Sequence, residues 1–239
     1  VGHRSLPTHA PEQTRASLSA CIDLRVGVEI DIRRTRDGHL VCLHDATVDR
    51  TTDGNGMVAE LSLRELKQFD AGKKFDAAFA GERIATLEEF FALLKERKSS
   101  ILVAIDLKVP DCESDVVKLA AKYGVLPQLV FIGLAIENAK VRAALKNAST
   151  SASCAVLCPA AEKIADAIAE TSADWVYLRF IPSSDEVKKV HAAEKRVFLV
   201  GPLVMGHEPA NWAKARSAGV DAILTDHPLE CRLSGREKK

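Results

Sequence analysis

Gly27-Val28-Glu29-Ile30-Asp31-Ile32-Arg33 is the stretch on which the fold turns. Val28, Ile30 and Ile32 are β-branched and occupy alternate positions, and a turn-prone Asp37-Gly38 follows soon after; this pattern predicts a strand. Side chains on a strand alternate faces, so the three apolar residues share one side and Glu29, Asp31 and Arg33 share the other. Residues two apart on a strand lie ~7 Å from each other. Two carboxylates held that close resist ionising together away from water. A bound divalent cation with oxygen ligands relieves that repulsion. A solvent-exposed polar face, with Arg33 pairing one acid, accounts for the same pattern, and this strand alone does not separate the two readings.

Downstream, a regular rhythm begins at Thr86. Helix 87–97 leads to strand 101–107, helix 112–123 to strand 129–133, and helix 136–147 to strand 153–157. Helix 160–171 then leads to strand 175–178, helix 184–194 to strand 197–200, and helix 209–218 to strand 222–225. Strands alternating with helices of about ten residues imply βαβ units and a parallel sheet. Upstream, a loop with Pro7 and Pro11 precedes a helix over 12–24 whose periodic face carries Leu18, Cys21, Ile22 and Arg25, and residues 39–44 form another short strand. The strand segments total nine, one more than an eight-stranded barrel needs, which marks the His44 strand as the one placed differently. A closed (β/α)8 TIM barrel fits better than a doubly wound sheet: no glycine-rich phosphate loop follows the first strand, and the charged residues sit at the C-terminal ends of several strands.

Residues 45–85 break the rhythm. Asp49-Arg50-Thr51-Thr52-Asp53-Gly54-Asn55-Gly56 is dense in turn formers, and Ser62 with Glu65 forms a capping box for a short helix over 62–69. The segment is expected to be a small insertion after the His44 strand, within a single barrel domain spanning 1–239. Acidic and basic side chains balance, 33 against 33, which excludes a global field for nucleic acid. No run approaches the ~20 apolar residues of a membrane helix. The six cysteines are too few for a disulfide scaffold at this length and lack a zinc pattern, so free thiols are expected. The chain begins at Val1 without an initiator Met; a removed leader, with an exported or periplasmic protein, is one expectation, and the compartment stays open.

Active sites of such barrels form at the C-terminal strand ends. Those ends carry His3 and Arg4, Glu29 and Asp31, His44 and Asp45, and Asp106 and Lys108. The strand bearing Asp106 is apolar on both faces until its end, so an acid and a base there have little solvated surface to account for them. Singly, each has a structural reading: His3 as a cap, His44 with Asp45 as a surface turn, Lys108 as a mere partner of Asp106. Together they form a set that can hold an anionic substrate through a cation. Arg179, on the same side of its strand as Tyr177, can add a phosphate or leaving-group contact. His207 and His9 are weaker site candidates; His39, His191 and His227 read as turn, helix-surface and structural residues.

The chain resembles the glycerophosphodiester phosphodiesterases along nearly its full length. The resemblance is carried by Gly2-His3-Arg4, Pro11-Glu12-Gln13-Thr14, Glu29-Ile30-Asp31, Thr35-Arg36-Asp37-Gly38, Val41-Cys42-Leu43-His44-Asp45, Asp49-Arg50-Thr51-Thr52-Asp53-Gly54, Leu66 to Gly72 and Gly219 to Asp226. It implies a TIM barrel with an insertion after the second histidine. It also implies metal-dependent hydrolysis of a glycerophosphodiester to glycerol 3-phosphate and an alcohol. By position, Glu29, Asp31 and Asp106 become ligands of one divalent cation, Mg2+ or Ca2+. His3 and His44 become the acid–base pair, and Arg4 and Lys108 hold phosphate oxygens. The expected partner is the small-molecule substrate, with no nucleic acid and no transmembrane segment.

The chain departs from the family's pattern at four places. Ser5 replaces a usual Gly, which takes positive φ without steric cost; Gln13 replaces an Asn; and Asp106 replaces a Glu, shorter by one methylene. A Trp-Thr-Val-Asn stretch is absent, residues 198–202 reading Phe-Leu-Val-Gly-Pro. Two other readings stand beside the hydrolase. One is a phospholipase like sphingomyelinase D, which requires exposed apolar loops at the barrel mouth. The other is a non-catalytic phosphoester-binding barrel, motivated by Ser5, Gln13 and Asp106 and opposed by the two retained histidines.

Overall fold

The computed structural model describes residues 1–201 and 205–235. Strand β1 (Val28–Arg34) pairs in antiparallel fashion with β2 (Leu40–Cys42) and in parallel with β3 (Val103–Leu107), which pairs with β4 (Leu129–Gly133). Strands β5 (Ala155–Cys158), β6 (Trp175–Leu178), β7 (Arg196–Leu199) and β8 (Ala222–Ile223) form a second parallel run. A parallel bridge between Phe131 and Cys154 joins the two runs on one side, and Gly2 bridges both Val28 and Thr225 on the other. Gly2 therefore serves as the eighth parallel staving segment, and the ring closes. The surplus ninth segment is β2. Its connection to β1, residues 35–39, is far too short for a parallel crossover, so it folds back as a hairpin outside the ring.

Most helices are shorter than the periodicity suggests, while the one over 209–218 has the expected bounds. Among the described residues the helices are, in chain order, α1 (Arg15–Asp23), α2 (Leu63–Leu66), α3 (Leu87–Glu96), α4 (Glu113–Tyr123), α5 (Leu134–Glu137), α6 (Ala139–Ala148), α7 (Ile164–Ala169), α8 (Ser184–Ala192), α9 (Pro209–Ala218) and α10 (Pro228–Leu233). The helix expected over 136–147 is broken at Asn138, whose extended backbone ends α5 and whose side chain caps α6 by accepting from the Lys140 N–H. Arg25, expected on the buried face of α1, instead lies past its end, exposed, with φ +53. Capping boxes start α2, α3 and α8, with Glu65, Glu89 and Glu186 each reaching back to the cap.

Alternation along the strands sorts the interior into two layers. Val28, Ile30 and Ile32 point outward into a core shared with Leu18 and Cys21 of α1, Phe90, Phe91 and Leu94 of α3, and Val116 and Val117 of α4. The lumen holds a separate core of Ala104, Val130, Ile132, Trp175, Tyr177, Phe198, Val200 and Leu224. There Phe198 meets the Tyr177 and Trp175 rings edge-on at 5.8 and 6.2 Å. Glu29 and Asp31 face this lumen. Residues 45–85 carry a small apolar cluster of their own, in which Val48, Val58, Leu66, Ala71 and Ile84 pack on Val41 and Leu43 beside β2. The six cysteines are buried and free. No helix among the described residues is long and apolar enough to cross a membrane. Pro202, in the stretch noted above for its departure from Trp-Thr-Val-Asn, lies outside the described residues, as do residues 236–239.

Candidate active site

The register of β1 on β3 places Asp31 beside Asp106. Glu29 and Asp31 are each 1% exposed, and Asp106 is half-buried. One oxygen from each of Glu29, Asp31 and Asp106 lies within 4.8 Å of the others. Lys108, two residues beyond Asp106 on the same face, reaches back with its Nζ 2.9 Å from Asp31 Oδ1 and 2.8 Å from Asp106 Oδ2. Burial raises the Glu29 carboxyl well above its ordinary range, and the neighbouring Asp31 and Asp106 charges push it further. Burial raises Asp106 too, against the pull of Lys108. Burial alone depresses Lys108, but Asp31 and Asp106 reverse this and leave it raised. Asp106 Oδ1 is buried without a hydrogen-bond partner among the described residues. An all-oxygen donor set of three clustered carboxylates fits a hard divalent cation.

Two backbone features hold these acids in place. Gly133, at the end of β4, has φ +68, and a Cβ there would stand 2.1 Å from Asp106 Oδ1 and 2.6 Å from the Leu107 nitrogen. The Asp106 carboxylate thus lies where a side chain on residue 133 would be. Across the cluster, the buried Gln13 brackets Asp31: its Oε1 accepts the Asp31 N–H at 2.9 Å, and its Nε2 donates to Asp31 Oδ2. Gln13 has φ +55 and Ser5 φ +79, left-handed conformations that cost an ordinary residue energy. Ser5 therefore keeps the loop conformation a glycine would favour, and its hydroxyl compensates, accepting the Gln13 N–H at 3.1 Å and lying 3.1 Å from Ser17 Oγ. Arg4, also left-handed at φ +52, donates its backbone N–H to Glu29 Oε2 at 2.7 Å.

Each of His3 and His44 has Nδ1 on a carboxylate. His3 Nδ1 is 2.7 Å from Asp226 Oδ1, and His44 Nδ1 is 2.7 Å from Asp45 Oδ1. Arg50 grips Asp45 through Nε at 2.6 Å and holds Glu12 with both terminal nitrogens at 2.8 and 2.7 Å. This lowers the Asp45 carboxyl to about 2, the Arg50 contact being the main cause. Glu12 in turn lies 3.8 Å from Arg4 Nη1. A chain of charges thus runs from His44 through Asp45, Arg50 and Glu12 to Arg4. Arg33 pairs neither acid of its strand; it donates from Nε and Nη2 to the His44 carbonyl at 2.9 and 2.7 Å.

Asp226, Gly133, Arg50 and Glu12 were not singled out as site residues from the sequence. A His–Asp neighbour pair made Asp45 legible, whereas Asp226 is 223 residues from its histidine. The remaining candidates fall elsewhere. His207 stacks edge-on against Trp212 and His227, each at 5.3 Å between centroids. His9 Nδ1 meets the Thr8 hydroxyl on the surface, and His191 pairs with Asp221 at 2.9 Å. Arg179 lies over the Tyr177 ring, 5.7 Å from its centroid, at the rim of a cleft that Asp106 and Lys108 also line. A second cavity of about 360 Å³, beside Val1, Gly27 and Ala222 at the opposite end of the strands, gathers no comparable acids and histidines.

Comparison with known proteins identifies the fold and the family. A curated glycerophosphodiester phosphodiesterase of Caldanaerobacter subterraneus subsp. tengcongensis is 42% identical over 129 residues, which is 52% of each chain. The mouse glycerophosphodiester phosphodiesterase 1 is 35% identical over 134 residues, 54% of this chain and 39% of that one. The matched stretch spans about half the length of such relatives or less. Among solved structures, a glycerophosphodiester phosphodiesterase from Agrobacterium tumefaciens superposes with a TM-score of 0.79 at 23% identity, covering 97% of both chains. A phosphodiesterase of Oleispira antarctica, in complex with the product sn-glycerol-3-phosphate, superposes with a TM-score of 0.77 at 24% identity over 99% of this chain and 96% of that one. These structures share the TIM-barrel fold. The sequence profile of the glycerophosphoryl diester phosphodiesterase family matches residues 3–230, and the chain belongs to that family.

Proposed function

We propose that this protein hydrolyses glycerophosphodiesters to glycerol 3-phosphate and an alcohol, with His3 and His44 as the acid–base pair. The observation that carries the reading is the pair of Nδ1–carboxylate contacts, 2.7 Å each, beside a buried cluster of three acids. An ionised carboxylate only accepts, so Nδ1 must donate. The neutral ring then presents Nε2 as a proton acceptor, and the protonated ring presents it as a donor. One histidine takes the proton of the attacking hydroxyl and the other delivers a proton to the leaving oxygen. Simple phosphoester binding has no need of such a pair.

Glu29, Asp31 and Asp106 are the residues that would hold one divalent cation, Mg2+ or Ca2+. When bound, such a cation neutralises phosphoryl oxygens and acidifies a nearby hydroxyl. Lys108 and Arg4 supply fixed positive charge to the same oxygens. Arg4 suits this task because its backbone is anchored on Glu29 while its Nε has no hydrogen-bond partner among the described residues. The family relationship and the Oleispira antarctica complex with sn-glycerol-3-phosphate support the substrate class.

The test is release of glycerol 3-phosphate from glycerophosphocholine or glycerophosphoethanolamine. Chelation should abolish it, and His3→Ala and His44→Ala should each remove it. Activity unchanged by both substitutions would refute the mechanism, and absence of turnover with an added divalent cation would favour a binding barrel.

A further inference from the structure

The cleft that opens beside the acid cluster is about 800 Å³ and runs from Asp106 and Lys108 past Gly133 to Asn138, Lys140 and Arg179. Tyr177 and Ile136, both buried, form its apolar floor. Such a volume exceeds what a glycerol arm needs. Its rim carries two cations that face the same opening as the acid cluster. Elsewhere on the barrel Arg142 is paired with Glu170, Lys146 with Asp174 and Arg34 with Asp115. Arg179 and Lys140 have no ion pair among the described residues, though Glu137 lines the same cleft, and Arg179 rests on the Tyr177 ring. Glycerol, a neutral triol, offers these two cations hydroxyl acceptors but no charge to neutralise.

We infer that this cleft receives the alcohol arm of the diester and selects alcohols that bear an anionic group of their own, a carboxylate or a second phosphate. The inference rests on the proposed hydrolysis and concerns the selectivity of that same site. With the phosphodiester held by Lys108, the alcohol extends over Tyr177 and Ile136 toward the rim. Arg179, stiffened by its ring contact, offers a planar fork matched to a carboxylate or phosphate. Lys140 adds a point charge from the first turn of α6. An alcohol with a single fixed positive charge, such as choline, meets the same two cations and is disfavoured.

The experiment compares kcat/KM for glycerophosphoserine and for a glycerophosphodiester of glycerol phosphate with that for glycerophosphocholine. The two anionic arms distinguish carboxylate from phosphate recognition. The expected result is a preference for at least one anionic substrate on the order of tenfold at low salt, weakening as salt rises. Replacing both cations, Arg179→Ala with Lys140→Ala, should collapse that ratio toward unity, mainly through KM. The conservative pair Arg179→Lys with Lys140→Arg should retain most of it. Equal turnover of all substrates by the wild type, or a preference untouched by the double substitution, overturns the inference while leaving the hydrolase standing. Turnover of none of them overturns the hydrolase and the inference with it.

Discussion

Replacing Gln13 by Met tests the clamp on Asp31 without opening a large cavity, since the two side chains have similar length and volume. Gln13 is buried and uses both ends of its carboxamide on Asp31, accepting the backbone N–H at 2.9 Å and donating to Oδ2. Met supplies neither bond. Each buried group left unsatisfied costs ~1–3 kcal/mol, so two together should destabilise the fold by about 2–4 kcal/mol after local relaxation. The functional loss is separate. Asp31 Oδ1 faces Lys108 Nζ at 2.9 Å, and Oδ2 is the atom Gln13 restrains. Without that restraint the carboxylate rotates away from the orientation shared with Glu29 and Asp106. Loss of such supporting hydrogen bonds typically weakens metal affinity by ~10–100-fold. Denaturant unfolding reads the first effect, and calorimetric titration with Mg2+ or Ca2+ reads the second. A variant that keeps wild-type stability and cation affinity within twofold would refute the claim that Gln13 holds Asp31.

Gly133→Ala should be more damaging than its single methyl suggests, because the Cβ would stand 2.1 Å from Asp106 Oδ1 at φ +68. A loss of kcat/KM of about 100-fold or more, with lower thermal stability, is expected from the forced displacement of Asp106, and near-normal kinetics would refute it. Asp226→Asn removes the charge on His3 Nδ1 and the tautomer it imposes; kcat should fall on the order of 10²-fold while the melting temperature changes little. In the 45–85 segment, Asp70 accepts the backbone N–H groups of Gly72, Lys73 and Gly81 at 2.7–2.9 Å. Those bonds, that of Lys73 first, lower its pKa to about 2. Because the folded value lies below the unfolded one of ~3.9, the stabilisation is present above pH ~4 and is lost as pH falls toward 2. Asp70→Asn should therefore lower the melting temperature at neutral pH and narrow the gap to wild type near pH 2; a constant gap across that range would refute the assignment.

Much of the architecture was legible because its signals are local. The period of two in Val28 to Arg33 puts Ile30 on the face opposite Glu29 and Asp31, and the alternation of helix and strand after Thr86 predicts parallel crossovers. The misplaced ninth strand carried its own correction: five residues between β1 and β2 permit a hairpin and no crossover. The break at Asn138 was hidden because α5 and α6 together continue one helical periodicity, and a cap inside it is set by backbone conformation. Ser5 illustrates the opposite limit. Its residue type argued for an altered loop, yet φ +79 is accompanied by buried hydrogen bonds to Gln13 and Ser17, 8 and 12 residues further along, that no residue-type pattern announces.

By itself, then, the sequence determined the barrel, the side of each strand on which an acid or base stands, and the family. Those properties follow from short-range periodicity and from motifs contiguous in the chain. Tertiary structure alone decided which side chains touch. The bond between His3 and Asp226 exists because Gly2 bridges Val28 and Thr225 and closes the ring. Asp31 meets Asp106 through one particular register of β1 on β3, and the register of β3 on β4 brings the Asp106 carboxylate into the space that Gly133, lacking a side chain, leaves open. Closure and register are cooperative outcomes of packing the whole ring, so the contacts they create cannot be read from any single segment.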